Sequence, residues 1–164
     1  LKAVLNRWEF SGIASLVSGA PLTVVPTTTT AIDITGSPTD SARVDVVGDP
    51  VLPKSQRTFE RFFNTSVFRL PAVGSPGNAA KYLFRGPGIN NFDLAVYKNF
   101  PIRSERVRFQ FRWELYNALN HTQFSSVDTT ARFDAAGGQV SGSFGQFNAA
   151  LPARRMQIAL RFYF

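Results

Sequence analysis

The stretch ERVRFQFRWELYN, Glu105 to Asn117, alternates without a break from Arg106 to Tyr116. Val107, Phe109, Phe111, Trp113 and Leu115 fall on one side of an extended chain. Arg106, Arg108, Gln110, Arg112, Glu114 and Tyr116 fall on the other. A helix would need apolar residues three and four apart, so period two predicts a strand with one apolar and one polar face. Its length is the constraint. Strands of soluble proteins run to about 5–6 residues, whereas a tilted strand needs about 9–11 to cross the hydrocarbon of a bilayer.

Three further segments share the period and the length: Arg7–Val17 (RWEFSGIASLV), Asn90–Phe100 (NNFDLAVYKNF) and Arg154–Phe164 (RRMQIALRFYF). Trp8, Phe10, Ala14 and Leu16 oppose Glu9, Ser11 and Ser15 in the first. Phe92, Leu94, Val96 and Phe100 oppose Asn91, Asp93, Tyr97 and Asn99 in the second. In the last, Met156, Ile158, Leu160, Phe162 and Phe164 alternate with Arg155, Gln157, Arg161 and Tyr163. Only PIRS, Pro101–Ser104, joins the second segment to the third. The other two connections are long and rich in turn formers. Long, short, long is the alternation of outer-membrane β-barrels, which have short periplasmic turns and long extracellular loops.

The expected fold is therefore all-β: an antiparallel meander forming the last four or so strands of a large outer-membrane barrel. Four strands cannot close, since bacterial barrels begin at about 8, and an open edge in lipid leaves backbone groups unpaired. Residues 1–164 are expected to be the C-terminal portion of such a barrel, with earlier strands and any plug elsewhere. The start LKAVLNRWEF, with no Met and no signal-like succession, fits the interior of a longer chain. The PIRS turn and both ends of the chain would face the periplasm.

Composition agrees. No run of 18 apolar residues exists, so a transmembrane helix is not expected, while a spanning strand is. Sixteen of the residues are Phe, an excess assigned here to the lipid face. Trp8, Phe100, Phe162 and Phe164 would form an aromatic girdle at the periplasmic boundary. There is no Cys, hence no disulfide or thiolate site. The net charge of +7 comes from cations spread along alternating strands rather than clustered in a nucleic-acid motif, so no nucleic-acid partner is expected.

No catalytic, cofactor or metal site is expected either, and the chain is not predicted to be an enzyme. His121, the sole histidine, follows the third strand as a loop residue and cannot build a triad or a His-rich metal site. Asp33, Asp40, Asp45 and Asp49 lack the spacing of a calcium loop and suit turns better. GPGIN at Gly86 lacks the Lys of a phosphate loop. SQRTFERFFN, Ser55–Asn64, predicts a short helix within the long connection, capped by Ser55, with Phe59, Phe62 and Phe63 on one face. Those rings would pack the loop to itself or meet an external ligand.

Several blocks in order, RWEFSGIASLVSGAPLTV, DVVGDPVLP, FNTSVFRLP, RGPGINNFDLAVYKNF and ERVRFQFRWELYNALNHTQF, resemble the closing segment of TonB-dependent receptors of the Oar-like type, which carry a carboxypeptidase-regulatory-like N-terminal domain. The resemblance covers nearly the whole chain. It implies a large barrel closed by a plug, in the outer membrane of a Gram-negative cell. It also implies uptake of a nutrient, an unknown small molecule or peptide, energised by TonB acting on the N-terminal part. The ending resembles the terminal pattern of outer-membrane proteins read by the barrel assembly machinery. Gln157, Phe162 and Phe164 stand at its polar and aromatic positions, and Ala159 stands where Gly is usual. Besides that machinery, the bilayer itself is an expected partner.

The polar face holds the candidate functional residues: Arg106, Arg108, Arg112, Glu114, Arg155 and Arg161 would line the lumen, solvating it, bonding a plug or touching substrate. Two other classes remain open. A soluble or secreted β-sandwich or adhesion module would cover the apolar face with a second sheet. A porin or outer-membrane enzyme would share the same wall.

Overall fold

In a computed structural model of the chain, the period-two segments are the long strands, and they pair in one sheet. The structure describes residues 5–30, 33–36, 41–102 and 107–164. In chain order the strands are β1 (Trp8–Val17), β2 (Pro21–Leu22), β3 (Val25–Thr28), β4 (Asp45–Val46), β5 (Phe68–Arg69) and β6 (Phe84–Arg85). There follow β7 (Ile89–Pro101), β8 (Arg108–Tyr116), β9 (Phe124–Val127), β10 (Thr130–Phe133), β11 (Phe147–Ala150) and β12 (Arg155–Tyr163). The four long strands form an antiparallel sheet in the order β1-β7-β8-β12. The remaining strands, of two to four residues, pair two by two in the connections.

The chain divides into two compact units. The first holds the described residues up to Val17, with Ile89–Gln123 and Leu151–Phe164; the second holds Ser18–Gly88 and Phe124–Ala150. They differ in how they bury apolar surface.

Register keeps like with like across the sheet. Phe10 lies opposite Val96, Val96 opposite Trp113, and Trp113 opposite Ile158. Gly12, Leu94, Leu115 and Met156 make the next row. One residue along, every partner is on the other face: Ser11, Ala95, Glu114 and Gln157. Because side chains repeat every second residue, a slip of one position would exchange the faces entirely. Among the described residues of this unit no second layer covers the apolar face: Phe10 is 75% exposed and Ile158 69%. A sandwich would have packed a second sheet on those side chains; none does so among the described residues of this unit.

Between β7 and β8 the chain reverses with the Ile102 amide donating to the Val107 carbonyl at 2.9 Å. Arg103 to Arg106, and with them half of the expected PIRS turn, lie outside the described residues, as does Asp40.

The second unit carries the hydrophobic core. Val24, Val44, Phe62, Phe63 and Phe68 from the first long connection pack with Val127, Ala131, Phe133 and Phe144 from the second. The two connections are also joined by backbone. β3 pairs in parallel with β10, the Phe62 amide donates to the Gly145 carbonyl at 2.9 Å, and the Phe147 amide donates to the Phe59 carbonyl at 3.1 Å. Gly145 has φ +90, and a Cβ there would lie 2.6 Å from Thr65 Cγ2, so no side chain fits. Gly19 is equally constrained: a Cβ on it would meet the Gly86 carbonyl oxygen at 1.9 Å. That close approach accounts for GPG as backbone packing.

Two expectations need correction. Ser55–Asn64 is not a helix; only Lys54–Gln56 form a single 3-10 turn. The Phe62 amide bonds Gly145 across the unit instead of a carbonyl four residues back, and Thr58 and Arg61 exchange backbone bonds of 3.0 and 3.3 Å. Both adjacent rings, Phe62 and Phe63, are thereby buried, and they pack the connection to itself. Second, the Phe excess does not belong chiefly to the apolar sheet face. Nine of the sixteen lie in the second unit, where Phe63 meets Phe68, Phe84 and Phe144 at centroid distances of 5.7, 4.5 and 5.2 Å.

Candidate functional site: the polar face of the four-stranded sheet

The alternation that makes the apolar face builds a polar one from the intervening residues, and cross-strand register sets who meets whom. Tyr97 lies opposite Arg112, and Arg112 opposite Ala159. The Arg112 guanidinium donates to Glu114 Oε1 at 2.7 Å and to the Tyr97 hydroxyl at 3.3 Å, with its central carbon 4.8 Å from the Tyr97 ring centroid. Tyr116 donates its hydroxyl to the other Glu114 oxygen at 3.3 Å. The Arg112–Glu114 pair is partly exposed, at 21% and 19%, so it orients side chains more than it stabilises the sheet.

Towards the short-turn end a second chain of bonds runs across four strands. Asn99 donates to Glu9 at 2.8 Å, Gln110 donates to Asn99 at 3.1 Å, and the Tyr163 hydroxyl donates to Gln110 at 3.3 Å. Arg108 lies 4.4 Å from the Tyr163 ring. Arg7, Glu9, Asn99, Arg108 and Gln110 border a cleft of about 380 Å³ there.

At the other end of the same face a larger cleft, of about 840 Å³, is framed by β7, β8, the turn after β8 and the segment entering β12. Asp93 anchors it: its Oδ1 accepts from Asn91 Nδ2 at 2.8 Å and from the Asn117 amide at 2.9 Å. Asn117 takes φ +52, a left-handed conformation that Asn tolerates better than most residues. Its Nδ2 donates to the carbonyls of His121 and Pro152 at 3.2 and 3.4 Å, tying the turn to the segment before β12. Gln123 holds the backbone of Asn90 from both sides, accepting from its amide at 2.8 Å and donating to its carbonyl. Asn117 and Gln123 are only 7% and 4% exposed. Tyr116, Arg155 and Gln157 complete the polar lining, with Leu151 and Pro152 beside them.

Of the residues singled out in the sequence, Arg108, Arg112, Glu114, Arg155 and Arg161 project from the polar face of β8 and β12. Arg112 and Glu114 are brought together; Arg155 and Arg161 extend outward as exposed side chains. Arg106 lies outside the described residues. Gln157 and Ala159 share the polar face, while Phe162 shares the apolar face and packs on Phe109 and Phe164 at 5.0 and 5.8 Å. No cluster of metal-ligating side chains occurs among the described residues.

Asp93, Asn117 and Gln123 are not among those candidates. A sequence signal exists in NALNHTQF, where Asn117 and Asn120 both take φ +52 directly after a strand. Their roles depend on partners from 24 to 35 residues away, which no local pattern reveals. Lys98 is another residue that the pattern does not mark. It sits on the apolar face opposite Trp8, 2% exposed, donating to the Asn6 carbonyl with its ammonium 5.0 Å from the Trp8 ring and 5.7 Å from Phe100.

A family model described as an outer membrane beta barrel domain matches residues 1–157. Neither a curated protein nor a solved structure matches the chain.

Proposed function

The chain belongs to the outer membrane beta barrel domain family and lies in the outer membrane, and from that premise we propose that it is wall and outer loops of a TonB-dependent receptor of the Oar-like type. The observation that carries the membrane role is the uncovered apolar face, four strands wide, backed by a predominantly polar one. Lipid covers the first and a water-filled lumen or plug meets the second. The receptor identity is supported by the ordered blocks from RWEFSGIASLVSGAPLTV to ERVRFQFRWELYNALNHTQF.

In this reading Arg108, Arg112, Glu114, Arg155 and Arg161, with Arg106, face the lumen. The short β7–β8 turn is periplasmic and the second unit extracellular. Gln157, Ala159, Phe162 and Phe164 form the segment engaged by the barrel assembly machinery. TonB and the plug act through the N-terminal part of the receptor, and the cargo is a small molecule or peptide. The role is transport without catalysis, and no nucleic acid takes part.

The test uses the full-length protein. It is expected to fractionate with the outer membrane, to migrate faster on a gel unheated than heated, and to be retained by purified TonB periplasmic domain. Recovery from the soluble fraction without detergent would sink the barrel role. A folded barrel with no affinity for TonB would sink the receptor identity alone.

A further inference from the structure

We propose that the loop-end rim of the apolar sheet face, where Arg154 leads into β12 beside the turn Ala118–Asn120, holds the anionic headgroup of a membrane lipid. The inference rests on the barrel reading, which puts lipid against that face, and not on TonB-energised uptake.

Position is the first observation. By period two, Arg154 continues the row of Met156, Ile158, Leu160 and Phe162, one pleat beyond Met156. Its guanidinium donates to the Ala118 carbonyl at 3.5 Å, and the Ala118 amide donates to the carbonyl of Phe92, on the apolar face of β7, at 2.7 Å. From Arg154 to Phe164 there are ten residue steps, about 33 Å of strand at roughly 3.3 Å each. Tilted by about 40°, that length covers about 25 Å of depth, the height of a barrel's apolar band. Phe164 therefore marks one boundary of the hydrocarbon and Arg154 the other.

Presentation is the second. The Arg154 amide donates to Asn120 Oδ1 at 3.1 Å, and Asn120 takes φ +52. The backbone is tied to the turn while the side chain is exposed, and no carboxylate pairs with it among the described residues. Lys98, a cation of the same face at the short-turn end, is the contrast. It is 2% exposed, lies beside the Trp8 and Phe100 rings and donates to the Asn6 carbonyl. The face shelters a charge at one boundary and displays one at the other.

A displayed guanidinium at headgroup level selects its ligand. Its forked donors match phosphate oxygens, and each Lys or Arg near an anionic surface is worth about fivefold in affinity, about 1 kcal/mol. Leu119, 64% exposed between the two residues that bond Arg154, and Met156, 60% exposed, add apolar surface for acyl chains. A free phosphate would use the guanidinium and leave that surface uncovered, so the combination favours a lipid. In the orientation proposed above, the lipid belongs to the outer leaflet.

The full-length protein, folded in phosphatidylcholine vesicles and checked by its heat-dependent migration, would carry a fluorophore on Thr122→Cys, an exposed position of the same turn. Quenching would be compared between phosphatidylglycerol and phosphatidylcholine, each with a nitroxide near the top of one chain. A preference of about fivefold for phosphatidylglycerol is expected, falling to about one in Arg154→Gln. Arg154→Lys, which retains the charge, should keep it, and Lys98→Met should leave it unchanged. Equal quenching by the two lipids, a preference indifferent to Arg154→Gln, or an equal loss from Lys98→Met would overturn the proposal. So would displacement of labelled phosphatidylglycerol by inorganic phosphate, the mark of a site for the free anion. Quenching by neither lipid in a folded barrel would count against the membrane assignment of the face itself, and the proposal would fall with it.

Discussion

Lys98 has the chemistry least suited to its side of the sheet. Facing lipid, an ammonium must be shielded or reach the interface. Here it is shielded: Trp8 and Phe100 lie within 5.0 and 5.7 Å, and the Asn6 carbonyl accepts its proton. Position explains the tolerance, since Lys98 is three residues from the end of β7, next to the short turn. Trp8, expected from the sequence in an aromatic girdle, covers a charge. Trp8→Ala, Lys98→Met and the double variant, unfolded by urea in phospholipid vesicles, are expected to show a coupling of about 0.5–2 kcal/mol. Strictly additive losses would remove the covering role and leave Trp8 as interfacial anchor only.

Among the elements, the four long strands are legible in the order of residues alone. The expected Arg7–Val17, Asn90–Phe100, Glu105–Asn117 and Arg154–Phe164 correspond to Trp8–Val17, Ile89–Pro101, Arg108–Tyr116 and Arg155–Tyr163. Period two is a local signal, and it also assigns the faces. The assignment makes a sharp comparison on β1, where Phe10 and Ser11 are neighbours on opposite sides. Phe10→Arg, two residues in from Trp8 at the end of β1, should lower stability by about 1–3 kcal/mol, between the cost of a lipid-facing Arg at the interface and at the midplane, and Ser11→Arg by less than about 1 kcal/mol. Folded fraction on unheated gels across a urea series measures both. Equal losses would mean that the faces are wrongly assigned. The short strands of the connections are not legible, because two to four residues carry no period, and the predicted helix fails for a related reason. Three Phe at helical spacing in SQRTFERFFN are equally satisfied by an irregular segment whose rings meet Phe144 and Phe147 from the other connection.

For the whole molecule, the two units are held by different physics. The sheet hides little apolar surface within its own unit and relies on lipid and on the partitioned faces. The second unit buries an aromatic core contributed by both long connections. Those connections should accordingly lose structure together. Phe63→Ala, removing a ring that is 1% exposed, is expected to cost the second unit about 3–5 kcal/mol. Hydrogen exchange would then show lost protection at the Phe62 and Phe147 amides alike, while the β7 and β8 amides keep theirs. Loss confined to the first connection would show that the two are stabilised separately.

Strand identity, length and facing are written in the order of residues, because alternation is read between neighbours and a membrane's thickness sets the length it requires. The polar face as a face is legible for the same reason, and so are Arg108, Arg112, Glu114, Arg155 and Arg161 upon it. Which of them meet is decided by register, which pairs Tyr97 with Arg112 across fifteen residues. The Asp93–Asn117 cleft and the shared core of the two connections are decided only by tertiary structure. Each rests on hydrogen bonds or ring contacts between residues far apart in the chain, and in each case the local sequence shows only polar turns or scattered Phe.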